Sequence, residues 1–254
     1  THRALFEGRQ VRARSPQGRF DAGARRIDGT VLEEVDAHGK HLLYRFEPDI
    51  TLHVHLGLVG KFRTHRAPAP SPTPATRLVL ENDDGAAHLA GPMSCRLITA
   101  AEAADIVASL GPDPLQPGTR VERFATAIAD DDRPIGTVLL DQSVIAGVGN
   151  VYRSEVLFLE GVHPQRAASS LSDDEVRGVW STARAQLRTG VEDGRIITVN
   201  PRDVGAARRT DLPKQLRVYT YKRDHRPCLR CKTPITSTEM AGRRIWWCPA
   251  CQPG

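Results

Sequence analysis

Two periodicities divide the chain. Across residues 29–66 apolar and polar positions alternate in short runs: TVLEEVDA, HLLYRF, TLHVHLGL and KFRTHR. A period of two predicts strands, and the intervening turn residues predict hairpins. Ala37-His38-Gly39 makes one turn and delivers Lys40 to a strand start; Glu47-Pro48-Asp49 makes the next. Residues 10–14 form a further short strand, followed by the turn SPQGRF, and strand signals return at 77–81 and 95–98. Between them APAPSPTPA alternates proline, cannot join a ladder and is expected as an exposed extended loop. These strands predict a two-layer β-sandwich. Ahead of them, THRALFEG has the look of the last two turns of a helix stopped by Gly8.

From Thr99 onward the period lengthens to that of a helix. Thr99 with Glu102 makes a capping box before AADIVASL, which stops at Gly111-Pro112. Val121, Phe124, Ala125 and Ile128 share one face of a second helix. Ser172 with Glu175 makes another capping box, ahead of Val176, Val179, Trp180, Ala183 and Leu187, with Gly190 as the expected stop. Proline and glycine cluster at 111–117, where a β-rich half gives way to a helical one. The expected division is 1–112, 113–225 and 226–254, and the fold class is α+β.

Residues 139–164, LLDQSVIAGVGNVYRSEVLFLEGVHP, organise the helical half. They predict a helix end, two tight turns and a second helix. Gly147 and Gly149 supply turn conformations, and Asn150 is the expected N-cap. Tyr152, Val156 and Leu159 give that helix a face to bury. Such a corner gathers free backbone N–H groups and the Asn150 amide, a setting for an anion such as phosphate. On spacing alone a plain glycine-containing corner is an equal reading.

Cys228-x2-Cys231 and Cys248-x2-Cys251 lie sixteen residues apart. That spacing suits four thiolates on one tetrahedral Zn2+, with no ligand position left for catalysis, so the metal would be structural. Two disulfides are the alternative, and they call for an oxidising compartment. The metal would stiffen the hairpin EMAGRRIWW. Cys95 is left over, as a small buried hydrophobe.

Charge sharpens the picture. The 254 residues carry 35 basic and 30 acidic side chains, a net charge of +5. From Arg195 onward there are about 13 Lys and Arg against about 4 Asp and Glu, so the rest of the chain is slightly negative. A basic C-terminal quarter on a near-neutral body is a footprint for a polyanion; a solvated basic surface is the bland alternative. No apolar run approaches the roughly 18 residues of a membrane span, and nothing resembles a signal peptide. A soluble cytosolic protein is the default expectation.

DQSVIAGVGNVYRSEVLF closely resembles the helix–two-turn–helix element of the formamidopyrimidine-DNA glycosylase/endonuclease VIII family. The likeness covers essentially the whole chain in order. GKHLLYRF is similar to a family strand, HVHLGLVGKF to the segment that fills the gap left by an extruded base, and VYTYKRDHRPCLRC with AGRRIWWCPACQ to the borders of a zinc finger. The resemblance implies a bifunctional DNA glycosylase/AP lyase of base-excision repair. It implies that Asn150 grips phosphates flanking the lesion, and that Lys40 reaches the backbone and assists lyase chemistry. Leu58 would be the void-filling wedge. Arg243 would contact phosphate near the lesion and serve the second elimination. The partner implied is damaged DNA, duplex or single-stranded, bound by a monomer.

Two departures qualify the likeness. Family members start Pro-Glu-Gly, where the terminal proline amine is the nucleophile; an α-amine with a pKa of about 7.7–8.0 is substantially neutral near pH 7. Register places Thr1 roughly a dozen residues downstream of that proline, so the pair falls outside these 254 residues. Three accounts stay open: the pair precedes Thr1, the scaffold binds DNA without chemistry, or Lys40 substitutes. Secondly, Fpg-type members carry a void-filling Arg and Phe in the stretch that here reads LAGPMSCRLI. That Arg–Phe pair is absent, which leans the chain to the endonuclease VIII side and to oxidised pyrimidines. The rivals are a non-catalytic DNA-damage binding protein on the same scaffold and, more distantly, a zinc-ribbon protein-interaction module.

Overall fold

The computed structural model describes all residues, Thr1–Gly254, and divides into two compact units, Thr1–Ser109 and Leu110–Gly254. No helix is long and apolar enough to cross a membrane.

The first unit opens with α1 (His2–Phe6), β1 (Arg9–Arg14) and α2 (Asp21–Ile27). Seven strands follow: β2 (Thr30–His38), β3 (His41–Phe46), β4 (Ile50–His55), β5 (Lys61–Arg66), β6 (Thr76–Asn82), β7 (Gly85–Ala90) and β8 (Ser94–Ile98). Their order is β5-β7-β6-β1-β2-β3-β4-β8, antiparallel at every pairing. β1 belongs to both layers: Arg9, Gln10 and Val11 pair with β2, and Arg12, Ala13 and Arg14 pair with β6. One strand thus folds the sheet into the expected sandwich. Val11, Leu32, Tyr44, Phe46, Leu52, Leu78, Leu80 and Leu89 fill the space between the layers. The α3 helix (Ala100–Ala108) closes the unit, and its Thr99–Glu102 capping box is formed.

Two elements of this unit escape the alternation rule. α2 is only seven residues long, and β7 (GAAHLA) has small residues on both faces, so neither carries a strong period. TLHVHLGL is not a strand to its end. Pairing stops at His55, and Gly57, with φ of 66°, turns the chain so that Leu58 stands 84% exposed. Cys95 is half-buried against the core rather than sealed within it, and burial pushes its thiol pKa up to about 12.

The second unit holds α4 (Val121–Ile128), α5 (Ile135–Val138), α6 (Asn150–Leu159), α7 (Asp173–Asp193) and the hairpin β9 (Thr236–Met240) and β10 (Arg243–Trp247). The Ser172–Glu175 capping box starts α7, but the helix runs through Gly190 to a left-handed cap at Gly194. Gly190 is a packing residue: the Tyr152 hydroxyl occupies the space its Cβ would need. A stop signal and a close-approach signal are both written as glycine, and contacts from another helix distinguish them. The hairpin shares the helical core, since Met240, Ile245 and Trp247 cluster with Phe124, Ile135, Val138 and Val156.

Candidate nucleic-acid interface

The glycine corner is built by one side chain that sequence reasoning missed. Gln142 accepts from the Gly147 N–H at 3.1 Å, and its amide donates to the carbonyls of Leu140 and Val148, both at 3.0 Å. This amide closes the two turns between α5 and α6. Gly147 needs its freedom, with φ of 88°. Gly149 is extended and is itself the N-cap of α6. Asn150 is therefore not the N-cap. It occupies the first helical position and makes no capping bond, so its amide is free for a longer reach. That amide donates to the carbonyl oxygen of Arg244, 94 residues away, at 3.1 Å. Its Oδ1 is buried without a partner.

Arg153, one turn further along α6, is fully buried. Its guanidinium donates to the carbonyls of Gly136 at 2.8 Å, Met240 at 3.3 Å and Arg243 at 3.1 Å. Burial draws its pKa down to about 10, with a further push from Arg243. An arginine with no carboxylate beside it is held here by backbone carbonyls that accept from its two terminal nitrogens, while Nε is buried without a partner. The effect is to bolt the hairpin turn to the helix that carries Asn150. Gly136 lets the hairpin approach: a Cβ there would lie 2.8 Å from both Met240 Sδ and Ile245 Cδ1.

The hairpin turns through Ala241 and Gly242, both at positive φ, as a tight two-residue connection requires. Arg243 and Arg244 follow directly and are exposed, while Ile245, Trp246 and Trp247 are buried. Asp224 receives the Trp246 indole N–H and the Ser237 hydroxyl, locking the far end of the hairpin.

The ligand atoms of Cys228, Cys231, Cys248 and Cys251 all lie within 4.8 Å of one another. Tetrahedral zinc with bonds of about 2.3 Å places its sulfurs roughly 3.8 Å apart. Cys228 and Cys251 sulfurs are 3.9 Å apart, and those of Cys231 and Cys248 3.3 Å, far beyond a disulfide bond of about 2.05 Å. The four cysteines form a zinc-finger site suited to a structural Zn2+. Gln252 ties it to the helical core, accepting from Cys248 N–H at 3.0 Å and donating to the Val162 carbonyl at 2.8 Å.

Glu155 is another residue without a sequence signal. Fully buried, it accepts from the backbone N–H groups of Tyr219, Thr220 and Tyr221 at 2.6–2.9 Å and from the Thr198 and Thr220 hydroxyls. A buried carboxylate must be satisfied by donors. This one fastens the loop that leads into the first zinc knuckle.

Lys40 and Leu58 belong to the first unit. Lys40 follows Gly39 in the turn between β2 and β3. Beside it His41, His53 and His55 share a patch: His41 Nδ1 and His53 Nε2 are 2.9 Å apart, and the His41 and His55 rings lie 5.0 Å apart. Burial, first of all, draws all three pKa values down, that of His53 to about 4. Leu58 stands in an apolar tip with exposed Val59 and Met93, and Gly57 lies against Met93.

The chain matches the formamidopyrimidine-DNA glycosylase N-terminal domain over residues 3–91 and the formamidopyrimidine-DNA glycosylase H2TH domain over residues 110–201. Endonuclease 8 1 of Mycobacterium tuberculosis is 38% identical over 99% of this chain and 95% of its own length. Formamidopyrimidine-DNA glycosylase of Thermus thermophilus is 33% identical over 89% of this chain and 84% of its own length. The Lactococcus lactis Fpg structure, solved in complex with DNA containing an abasic site, superposes with a TM-score of 0.78 at 22% identity, covering 100% of this chain and 96% of that one. With its β-sandwich, its helix–two-turn–helix corner and its four-cysteine hairpin, the chain belongs to the formamidopyrimidine-DNA glycosylase/endonuclease VIII family.

Proposed function

We propose that the protein is a bifunctional DNA glycosylase/AP lyase that removes oxidised bases, pyrimidines in preference, and cleaves the strand at the resulting site. The observation that carries this reading is the Asn150–Arg244 hydrogen bond, which brings an amide at a helix start beside two exposed arginines. Backbone phosphates are recognised by such groups. A base within a duplex must be swung out before its glycosidic bond can be attacked, at a cost of a few kcal/mol. Leu58, exposed at the end of a rigid sheet, serves as the wedge that holds the vacated stack open. Lys40 and Arg243 hold backbone phosphate, and Arg243 favours elimination by stabilising the departing phosphate. The nucleophile is an amine that attacks the sugar C1′ as the glycosidic bond breaks and the base leaves with a proton; the C1′–O4′ bond then opens, O4′ takes a proton, and a Schiff base at C1′ remains. The stretch 89–98, LAGPMSCRLI, lacks the void-filling Arg and Phe pair of Fpg-type members, which supports the endonuclease VIII-like preference.

Borohydride trapping tests the proposal. The full-length protein, incubated with an oligonucleotide bearing an oxidised pyrimidine and reduced during turnover, is expected to form a covalent adduct. Faster trapping on the pyrimidine lesion than on 8-oxoguanine supports the preference. Tight lesion binding with no adduct on either the lesion or an abasic site would replace the enzyme reading with that of a damage-binding protein.

A further inference from the structure

The outer face of the β5–β7 pair carries a second basic site. β5 is an edge strand, and Lys61, Arg63 and His65 alternate along it onto one face. Across the ladder Arg63 pairs with His88. The loop after β5 returns over this face, and Ser71 and Thr73 wall a pocket of about 420 Å3 with these four residues. None of the residues lining it is acidic. Lys61 and Arg63 take part in no ion pair, although most other arginines of this unit do.

A cationic edge strand has an ordinary use, since lysine and arginine discourage edge-to-edge pairing of sheets. That accounts for Lys61 and Arg63 but not for the histidines or the wall. His88 is 8% exposed, and its Nε2 is buried with no hydrogen-bond partner. Its ring lies 4.8 Å from that of His65. A buried polar nitrogen without a protein partner costs stability, and a bound ligand is one thing that satisfies it. The pocket exceeds the space of one tetrahedral oxyanion, so it has room for a phosphate together with what the phosphate is attached to.

We infer that this pocket binds a phosphate group, gripped by Lys61 and Arg63 and bonded by the His65 and His88 rings and the loop hydroxyls. Two sources carry that chemistry: a nucleic-acid strand and a free phosphate ester. Val59, neighbour of Leu58, also lines the pocket. A strand reaching the exposed apolar tip therefore passes the pocket mouth, and this arm alone rests on the function proposed above.

The experiment follows the histidine ring signals of the full chain by NMR during titration with inorganic phosphate, and separately measures the salt dependence of duplex binding. Lys61→Gln/Arg63→Gln is the variant, because both side chains are exposed and the core is untouched. Phosphate is expected to shift the His65 and His88 signals in the wild type and not in the variant. If the strand is the source, the slope of log affinity against log salt for undamaged duplex falls by about one in the variant, as one lost phosphate contact requires. An unchanged slope with shifted signals assigns the pocket to a free phosphate ester. Signals that ignore phosphate, with an unchanged slope, overturn the inference while leaving the DNA reading intact. Shifted signals in a protein that binds no DNA overturn the DNA reading and leave the pocket.

Discussion

The side-chain amide of Asn150 donates to the Arg244 carbonyl at 3.1 Å, joining the start of one helix to a hairpin 94 residues later in the chain. Position N1 of a helix has no capping duty, so this amide contributes to the placement of the hairpin and not to the stability of the helix. One of its two N–H groups is committed to Arg244, which fixes where the rest of the amide points.

Asn150→Ala should therefore cost little stability, on the order of 1 kcal/mol for one partly exposed hydrogen bond. Binding to lesion-containing and plain duplex should weaken together, because a phosphate contact carries no base information. Fluorescence anisotropy on both duplexes, paired with a thermal melt, checks this. A loss confined to the lesion duplex would contradict a backbone role.

Arg153→Met should be far more damaging. It strands the carbonyls of Gly136, Met240 and Arg243, each of which now accepts from the guanidinium. A buried unsatisfied group costs about 1–3 kcal/mol, so a total on the order of 3 kcal/mol is expected. Hydrogen exchange should rise in residues 240–244 ahead of the zinc knuckles. Exchange that rises uniformly across the second unit would argue against a local bolt.

Gly136→Ala tests the close approach of hairpin and helix. The added methyl would meet Met240 Sδ and Ile245 Cδ1 at 2.8 Å and the Pro164 carbonyl oxygen at 3.0 Å. Overpacking of this kind costs roughly 1–3 kcal/mol. Chemical denaturation should register that loss, and Trp247 emission should shift because it shares the same core.

Removing the metal, by chelation or by Cys248→Ser, should release zinc and abolish DNA binding through the hairpin while α4 to α7 stay folded. Metal analysis, circular dichroism and a DNA titration together check this. Undiminished binding by zinc-free protein would show that the hairpin does not need the metal.

The first unit should lose stability as the solution is acidified through a window set by its histidines. His2 and His53 are both drawn down to about 4, mainly by burial, from an ordinary value near 6.5. Between those values the unfolded chain binds more protons than the folded one, so stability is complete above about pH 6.5 and falls as pH drops toward 4. His53→Gln should flatten that decline. Melts between pH 7 and pH 4 measure it, and a midpoint independent of pH over that range would refute it.

Much was legible in residue spacing. The alternation of residues 29–66, the two capping boxes, the glycine corner and the paired C-x2-C knuckles report local physics: backbone sterics, side-chain period and ligand reach. The four sulfurs converge as their spacing requires. Other features depend on residues far apart in the chain. Gly190 continues a helix because Tyr152 needs its empty side, and no local cue distinguishes that from a stop. Leu58 leaves its strand because Gly57 turns at positive φ, which alternation cannot foresee. Gln142, Arg153 and Glu155 look like ordinary polar residues in the chain, and they became the fastenings of corner, hairpin and loop once packing half-buried the first and removed the other two from water. A buried polar group must find its partner wherever the fold supplies one, and that partner's identity is a property of three-dimensional neighbours, not of spacing.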